Sequence, residues 1–264
     1  MTWDPEIDDP TTRPPRPRDE EAAPDTTAEP PPAPPDLFAP IDPNAPVSGH
    51  RPPPEGTAVV DRPENDWSKA EGLVMPVLRS AGTVGLATDG LAPEALAEET
   101  DAGRRQPLVS DGPGGLVVAF ALPSTGFEVL VTGEHLLGWG LGGDALRAAA
   151  FANLERWSTA AAWTTEEDEH ARRIVSSASG DGWDAGRILL GSARDKLRSE
   201  LAGGRVVVGL PDRDLLVAAR ITADDPDFEA LFATFVVDQA DASDEPIDRR
   251  LFELSGDTLS PLPV

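Results

Sequence analysis

From Gly115 onward the apolar positions of the chain alternate between two spacings in a regular order. Residues 116–122 form a continuous apolar run that ends at Pro123; Ser124-Thr125-Gly126 turns the chain, and residues 127–131 alternate as a return strand. Helical spacing follows: from Asp144, read as an N-cap, Leu146, Ala150, Leu154 and Trp157 share one face. The rhythm then recurs. Residues 160–164 and 170–177 read as weaker strands around an acidic loop, Glu166-Glu167-Asp168-Glu169. Asp181 reads as the N-cap of a second helix, with Ala185, Ile188, Leu189, Ala193, Leu197 and Leu201 on its apolar face and Gly203-Gly204 as its stop. Residues 206–210 and 215–219 flank the turn Pro211-Asp212-Arg213-Asp214. Asp225-Pro226 opens a third helix whose apolar face is Phe228, Leu231, Phe232, Phe235 and Val236.

A last hairpin, residues 251–254 and 258–262, closes the pattern, and Pro261 marks its return strand as an edge. One strand, 73–78, comes first, followed by a loose segment over 81–106. The pattern predicts an α+β domain: a mainly antiparallel sheet built from successive ββα units, with helices packed on one face. The units share rhythm rather than residues.

The first quarter of the chain has no such pattern. Residues 1–66 hold 18 of the 28 prolines and 15 acidic residues against 5 arginines. Too little apolar surface is present there to offset the entropy of ordering. The expected organisation is a disordered, acidic, proline-rich tail over 1–66 and a single domain over 67–264. One cluster, Asp36-Leu37-Phe38-Ala39-Pro40-Ile41, sets three large apolar groups among acids and prolines and is a candidate docking motif. The start, Met1-Thr2-Trp3-Asp4-Pro5-Glu6, lacks the basic and apolar regions of a secretory leader, and the longest apolar run is far shorter than a membrane span. A soluble cytoplasmic protein is expected.

Charge narrows the partners. A formal net charge of −25 argues against nucleic acid and anionic membranes, both of which repel such a surface. With no cysteine the chain has no disulfide, no thiolate metal site and no cysteine nucleophile. The arginines, 20 against 2 lysines, together with the alanine and proline content, suggest a bacterial genome of high GC content.

Few motifs carry chemistry. Gly138-Trp139-Gly140-Leu141-Gly142-Gly143 matches the spacing of a dinucleotide-binding loop, but Trp139 would crowd a phosphate, Asp144 would repel it, and no parallel βαβ unit follows. It reads as a glycine turn, and no cofactor is expected. In Asp181-Gly182-Trp183-Asp184-Ala185-Gly186-Arg187 the two acids and the arginine recur at spacing three. Two carboxylates at a helix start can hold a divalent cation or do acid–base work. A cap at Asp181, a dipole-favoured Asp184 and an Arg187 paired with either explain the same residues without a ligand. His135 and His170 lack partners at metal spacing, and Ser176, Ser177 and Ser179 lie in no nucleophile elbow. Trp157 is expected in the core and Trp183 partly exposed.

Four segments, taken in order and spacing, carry a resemblance. Met75-Pro76-Val77-Leu78-Arg79, Ala150-Phe151-Ala152-Asn153-Leu154, Asp181 through Leu189, and Pro211-Asp212-Arg213-Asp214-Leu215-Leu216 are similar to the YtpQ-like proteins, a bacterial family of unknown function. The resemblance covers roughly residues 72–222, and its most specific element is the Asp-Gly-aromatic-Asp-Ala segment. Pro76, Arg79, Asn153, Asp181, Gly182, Trp183, Asp184, Arg187, Pro211 and Asp214 are the motif positions, with no role attached. Gly186 stands where relatives often have serine, and the acidic tail stands in place of their helical N-terminal region. The resemblance implies a shared domain and no substrate.

Two functions compete, beside a mainly structural or regulatory role, with the tail as solubiliser, that shares every feature of the first. The first is a non-catalytic protein-binding module, adaptor- or chaperone-like, that receives its partner on a sheet face or an edge strand. The alternative is a metal-dependent or acid–base enzyme that uses Asp181 and Asp184. Convergence of those carboxylates with a third acid in a pocket would favour the enzyme.

Overall fold

The computed structural model describes residues 63–124 and 127–263. Of the expected tail, 1–62 and the 36–41 cluster lie outside the described residues. Residues 63–66 are part of the fold, so the domain begins earlier than the sequence suggests. Residues 63–65 form a 3-10 turn, and Asp66 caps α1 (Trp67–Ala70) by accepting the Ser68 N–H at 3.0 Å. The indole N–H of Trp139 donates to the Glu64 carbonyl at 3.0 Å, and the Trp67 and Trp139 rings lie 5.2 Å apart.

The elements then run β1 (Met75–Arg79), β2 (Leu86–Ala87), α2 (Pro93–Glu98), α3 (Asp101–Arg104), β3 (Leu108–Asp111), β4 (Val117–Ser124), β5 (Phe127–Leu130), α4 (Gly133–Trp139) and α5 (Gly143–Ser158). The second half comprises β6 (Thr164–Glu167), β7 (Arg173–Ser177), a 3-10 helix (Ala185–Leu189), α6 (Gly191–Glu200), β8 (Arg205–Asp212), β9 (Leu215–Ile221), α7 (Pro226–Ala242), β10 (Leu251–Ser255) and β11 (Thr258–Pro261). The α+β class and the hairpin–helix rhythm are as the periodicity predicts. The strands divide between two sheets rather than one. Five form the order β1-β4-β3-β2, with β5 pairing β4, and six form the order β11-β10-β8-β9-β7-β6. The six-stranded sheet is wholly antiparallel, whereas β2 and β3 pair in parallel.

Side-chain alternation assigns the faces of the larger sheet. Val206, Val208, Leu216 and Ala218 join the main core, which includes Leu78, Phe120, Ile188, Leu197 and Leu201. Val207, Val217, Ala219 and Ile221 point the other way and meet Phe228, Phe232 and Val236 of α7. Helices therefore lie on both faces of this sheet, not on one. Gly209 lets α7 come close: a Cβ there would stand 2.4 Å from a Val236 methyl.

Several local expectations are revised. The segment over 81–106 is not loose but carries β2, α2 and α3. The first half of the acidic stretch read as a loop, Glu166 and Glu167, belongs to the strand β6, fully exposed and paired to β7 from Thr164↔Ser176 to Glu167↔Arg173. Gly142, not Asp144, is the N-cap of α5. Trp157 is 49% exposed, because α5 buries Leu146, Ala150, Asn153 and Leu154 instead.

The glycine stretch links two helices. Gly140, in the left-handed region at φ 68°, ends α4. Gly143 donates its N–H to the Leu91 carbonyl at 2.8 Å, and a Cβ on it would lie 2.0 Å from the Thr88 carbonyl oxygen. Protein backbone occupies the approach that a phosphate would need.

At the start of α4 the Thr132 N–H donates to His135 Nδ1 at 3.0 Å, so that nitrogen must be unprotonated. Burial pushes the His135 pKa below its ordinary value. A histidine depressed in the folded state stabilises fully above the unfolded pKa, about 6.5, and loses that contribution as pH falls from there through its lower folded-state pKa. Melting temperature is expected to drop between about pH 7.5 and 5.5 in the parent. In His135→Gln, whose amide oxygen can still accept from Thr132, this fall should be clearly shallower. Thermal melts across that range check it; equal slopes would contradict it.

Candidate functional site

The most distinctive sequence segment follows β7 and precedes the 3-10 helix. Gly180 and Gly182 take φ of 68° and 83°, which coils the chain so that three side chains meet. Asp184 is fully buried and accepts from Ser177 Oγ at 2.6 Å, the Ser179 N–H at 2.8 Å and the Gly180 N–H at 3.1 Å. Arg187, also buried, forks its guanidinium between Asp184 and Asp181. The Asp181 carboxylate, a quarter exposed, also accepts the Trp183 N–H at 2.9 Å.

Asp181 is therefore not the N-cap of a helix running to residue 201. Its carboxylate closes a turn and neutralises Arg187. That helix is broken in two, because Leu190 is extended at φ −86°, ψ 136° between the 3-10 helix and α6. Trp183 is buried, 5% exposed, and packs with Met75, Val77, Ala119 and Leu154.

The β8–β9 turn locks this coil from outside. Asp214 Oδ1 accepts the Gly182 N–H at 2.8 Å, and the Arg213 carbonyl accepts the Ala185 N–H at 3.1 Å. A Cβ at Gly182 would stand 2.4 Å from the Arg213 guanidinium. Pro76 and Arg79 of β1 complete the enclosure, with Arg79 paired to Glu128. The space these segments leave is about 10 Å³, room for at most one water.

The remaining motif positions serve elsewhere. Asn153 donates from Nδ2 to the carbonyls of Glu71 and Val74, each at 2.8 Å, tying α5 to the start of β1. Pro211 sits at the β8 irregularity between Gly209 and Asp212, and its carbonyl accepts the Ile247 N–H at 2.9 Å.

Chemically, this centre has little freedom. Asp184 is surrounded by donors and out of water, and Ser177 and Ser179 are committed to it. Among the described residues no three His, Asp or Glu side chains converge as a metal site.

Open surface lies elsewhere, in grooves on both flanks of α7. On the α7 side of the larger sheet, a groove of about 410 Å³ runs between α7 and strands β9, β7 and β6. Its floor is Ile174, Ser176, Leu215 and Val217, and its wall is Phe228, Leu231, Phe232 and Phe235. Leu231 and Phe235 are 56% and 42% exposed. The outer rim is acidic, with Glu166 and Asp168; the Glu166 carboxylate makes no hydrogen bond or ion pair among the described residues, and Asp168 Oδ1 accepts the His170 and Arg172 N–H groups, each at 2.9 Å. The one cation in the lining, Arg172, is held by both carboxylate oxygens of Asp225, at 2.6 and 3.1 Å. That pairing raises the arginine's pKa and lowers the aspartate's, so the free charge of the groove is negative.

The periodicity puts Leu231 and Phe235 on one apolar face with Phe228, Phe232 and Val236. The buried stripe is Phe228, Phe232, Val236 and Ala240 at spacing four; Leu231 and Phe235 each stand one residue before a stripe position. Five large apolar side chains in nine residues make a face wider than one contact line, which is the signal in the sequence.

Compared with protein-family models, with curated proteins and with solved structures, the chain matches none.

Removing one member of the buried ion cluster leaves a charge without its partner. Arg187→Met is expected to cost about 3–5 kcal/mol, and adding Asp184→Asn to it should restore part of that loss. Asp181→Asn should cost about 1–3 kcal/mol, and neither chelator nor excess magnesium should move any of these midpoints. Denaturant titration of the variants measures this; a magnesium-dependent rise in the parent that disappears in Asp181→Asn would refute the structural assignment.

Proposed function

We propose that the protein is a non-catalytic protein-binding module and that the groove beside α7 is its receiving surface. The observation that carries the reading is an aromatic-walled apolar channel left open to water beside a helix with two large exposed side chains. Contiguous apolar surface of this kind marks interaction sites more often than it serves stability. A cytoplasmic setting, the expectation from the sequence, belongs to the same proposal. So does membership of the YtpQ-like family: its quoted segments gather around β1 as a structural unit, which supports a shared domain rather than a shared active site. Among the described residues no helix is long and apolar enough to cross a membrane.

The enzyme alternative has less support. Asp184 is saturated and enclosed, and Asp181 faces a buried arginine rather than a cavity.

The test is a paired substitution. Leu231→Ser with Phe235→Ser is expected to change folding stability by less than about 1 kcal/mol, because both side chains are already exposed. The same variant should lose a partner that the parent retains through purification and that rebinds the purified parent. A partner held equally by both proteins would place the interface elsewhere.

A further inference from the structure

The groove sits where a second helix would lie. Six strands span about 24 Å, whereas a helix with its side chains is about 10 Å wide. α7 packs over β8 and β9, so among the described residues strands β7 and β6 on one flank have no helix above them. Helices packed side by side stand about 8–10 Å apart, which centres a neighbour of α7 over β7. Register fixes what it would meet. Glu166 pairs with Ile174, and Ser176 with Val217, so Glu166 and Ile174 share the α7 face.

We propose that this groove takes a basic amphipathic helix of a partner protein, its apolar side on Ile174, Val217, Leu231 and Phe235 and its cations against Glu166 and Asp168. The inference rests on the binding-module reading above and adds the chemistry of the partner. Charge selects the occupant. Arg172 is already satisfied by Asp225, so only cations gain at the rim. A second copy of the chain is disfavoured on the same ground. α7 carries Asp227, Glu229, Asp238 and Asp241 and no lysine or arginine, so docking it here would set acid against acid. An extended strand added at β6 would pair with the backbone but would leave the groove over β7 empty.

Three fluorescent peptides of roughly 18 residues, five helical turns, test this against the full chain by anisotropy. One is a Leu/Lys helix with leucine on a single face. The second has the same composition in an order that destroys that face, and the third is the Leu/Glu counterpart of the first. The Leu/Lys helix is expected to bind at least about tenfold more tightly than the other two, and more weakly as salt rises. Glu166→Lys and Leu231→Ser should each weaken it at least about tenfold, whereas Glu94→Lys, an exposed acid of α2, should leave it within about twofold.

Indifference of the Leu/Lys peptide to the groove substitutions would overturn the proposal. So would a full-length dimer that Leu231→Ser dissociates, since the occupant would then be a second copy. If the shuffled or acidic peptide binds best and Leu231→Ser abolishes it, the basic-helix chemistry fails while the binding-module reading stands. If groove substitutions move neither the peptides nor a reconstituted partner, both fail.

Discussion

One face of a six-stranded sheet must be withdrawn from water, and among the described residues a single helix does it. The opposite face is closed by α6, the 3-10 helix and the smaller sheet, which together bury Val206, Val208, Leu216 and Ala218. On the α7 face, the glycine at 209 brings the helix down over β8 and β9. That close seat buries Phe228, Phe232 and Val236, but it fixes the helix over the middle of the sheet. The flanks are then left open, and the apolar residues facing them, Leu231 and Phe235 above all, remain in water. The groove is a direct consequence of sheet width against helix width.

The conspicuous acidic and basic residues do a different job. Burying Arg187 is tolerable only because two carboxylates neutralise it and because Asp184 draws further donors from Ser177, Ser179 and Gly180. The cluster thereby holds the coil after β7 against the β8–β9 turn and β1. It fixes the relative position of the strands that floor the groove, since β7 and β9 both lead into it. Chemistry-bearing residues and the exposed surface are thus separated in space.

How much of this was legible in the sequence depended on whether a residue's neighbours are close along the chain. The hairpin at 205–221 and the α7 stripe follow from local periodicity and lie where it puts them. Asp181 misled because a helix cap and an Asx turn share the same signature, an aspartate before a backbone N–H, and the buried arginine that decides between them lies six residues on. Glu166 and Glu167 misled because an edge strand with both faces exposed has no alternation to betray it. The tryptophans exchanged places: Trp183 is drawn under β1 and β4 by the coil, and Trp157 is displaced by Asn153, whose amide must reach Glu71 and Val74. The groove itself has no sequence signature beyond an unusually broad apolar face on α7.

The central claim is that binding happens on the α7 flank and not at the Asp181–Arg187 coil. Amide hydrogen exchange of the full chain, free and with the Leu/Lys helix bound, tests it most directly. The account predicts added protection confined to residues 164–176, 215–217 and 228–236, with the coil at 177–187 unchanged. Protection centred on 177–187, with residues 228–236 unaffected, would contradict it.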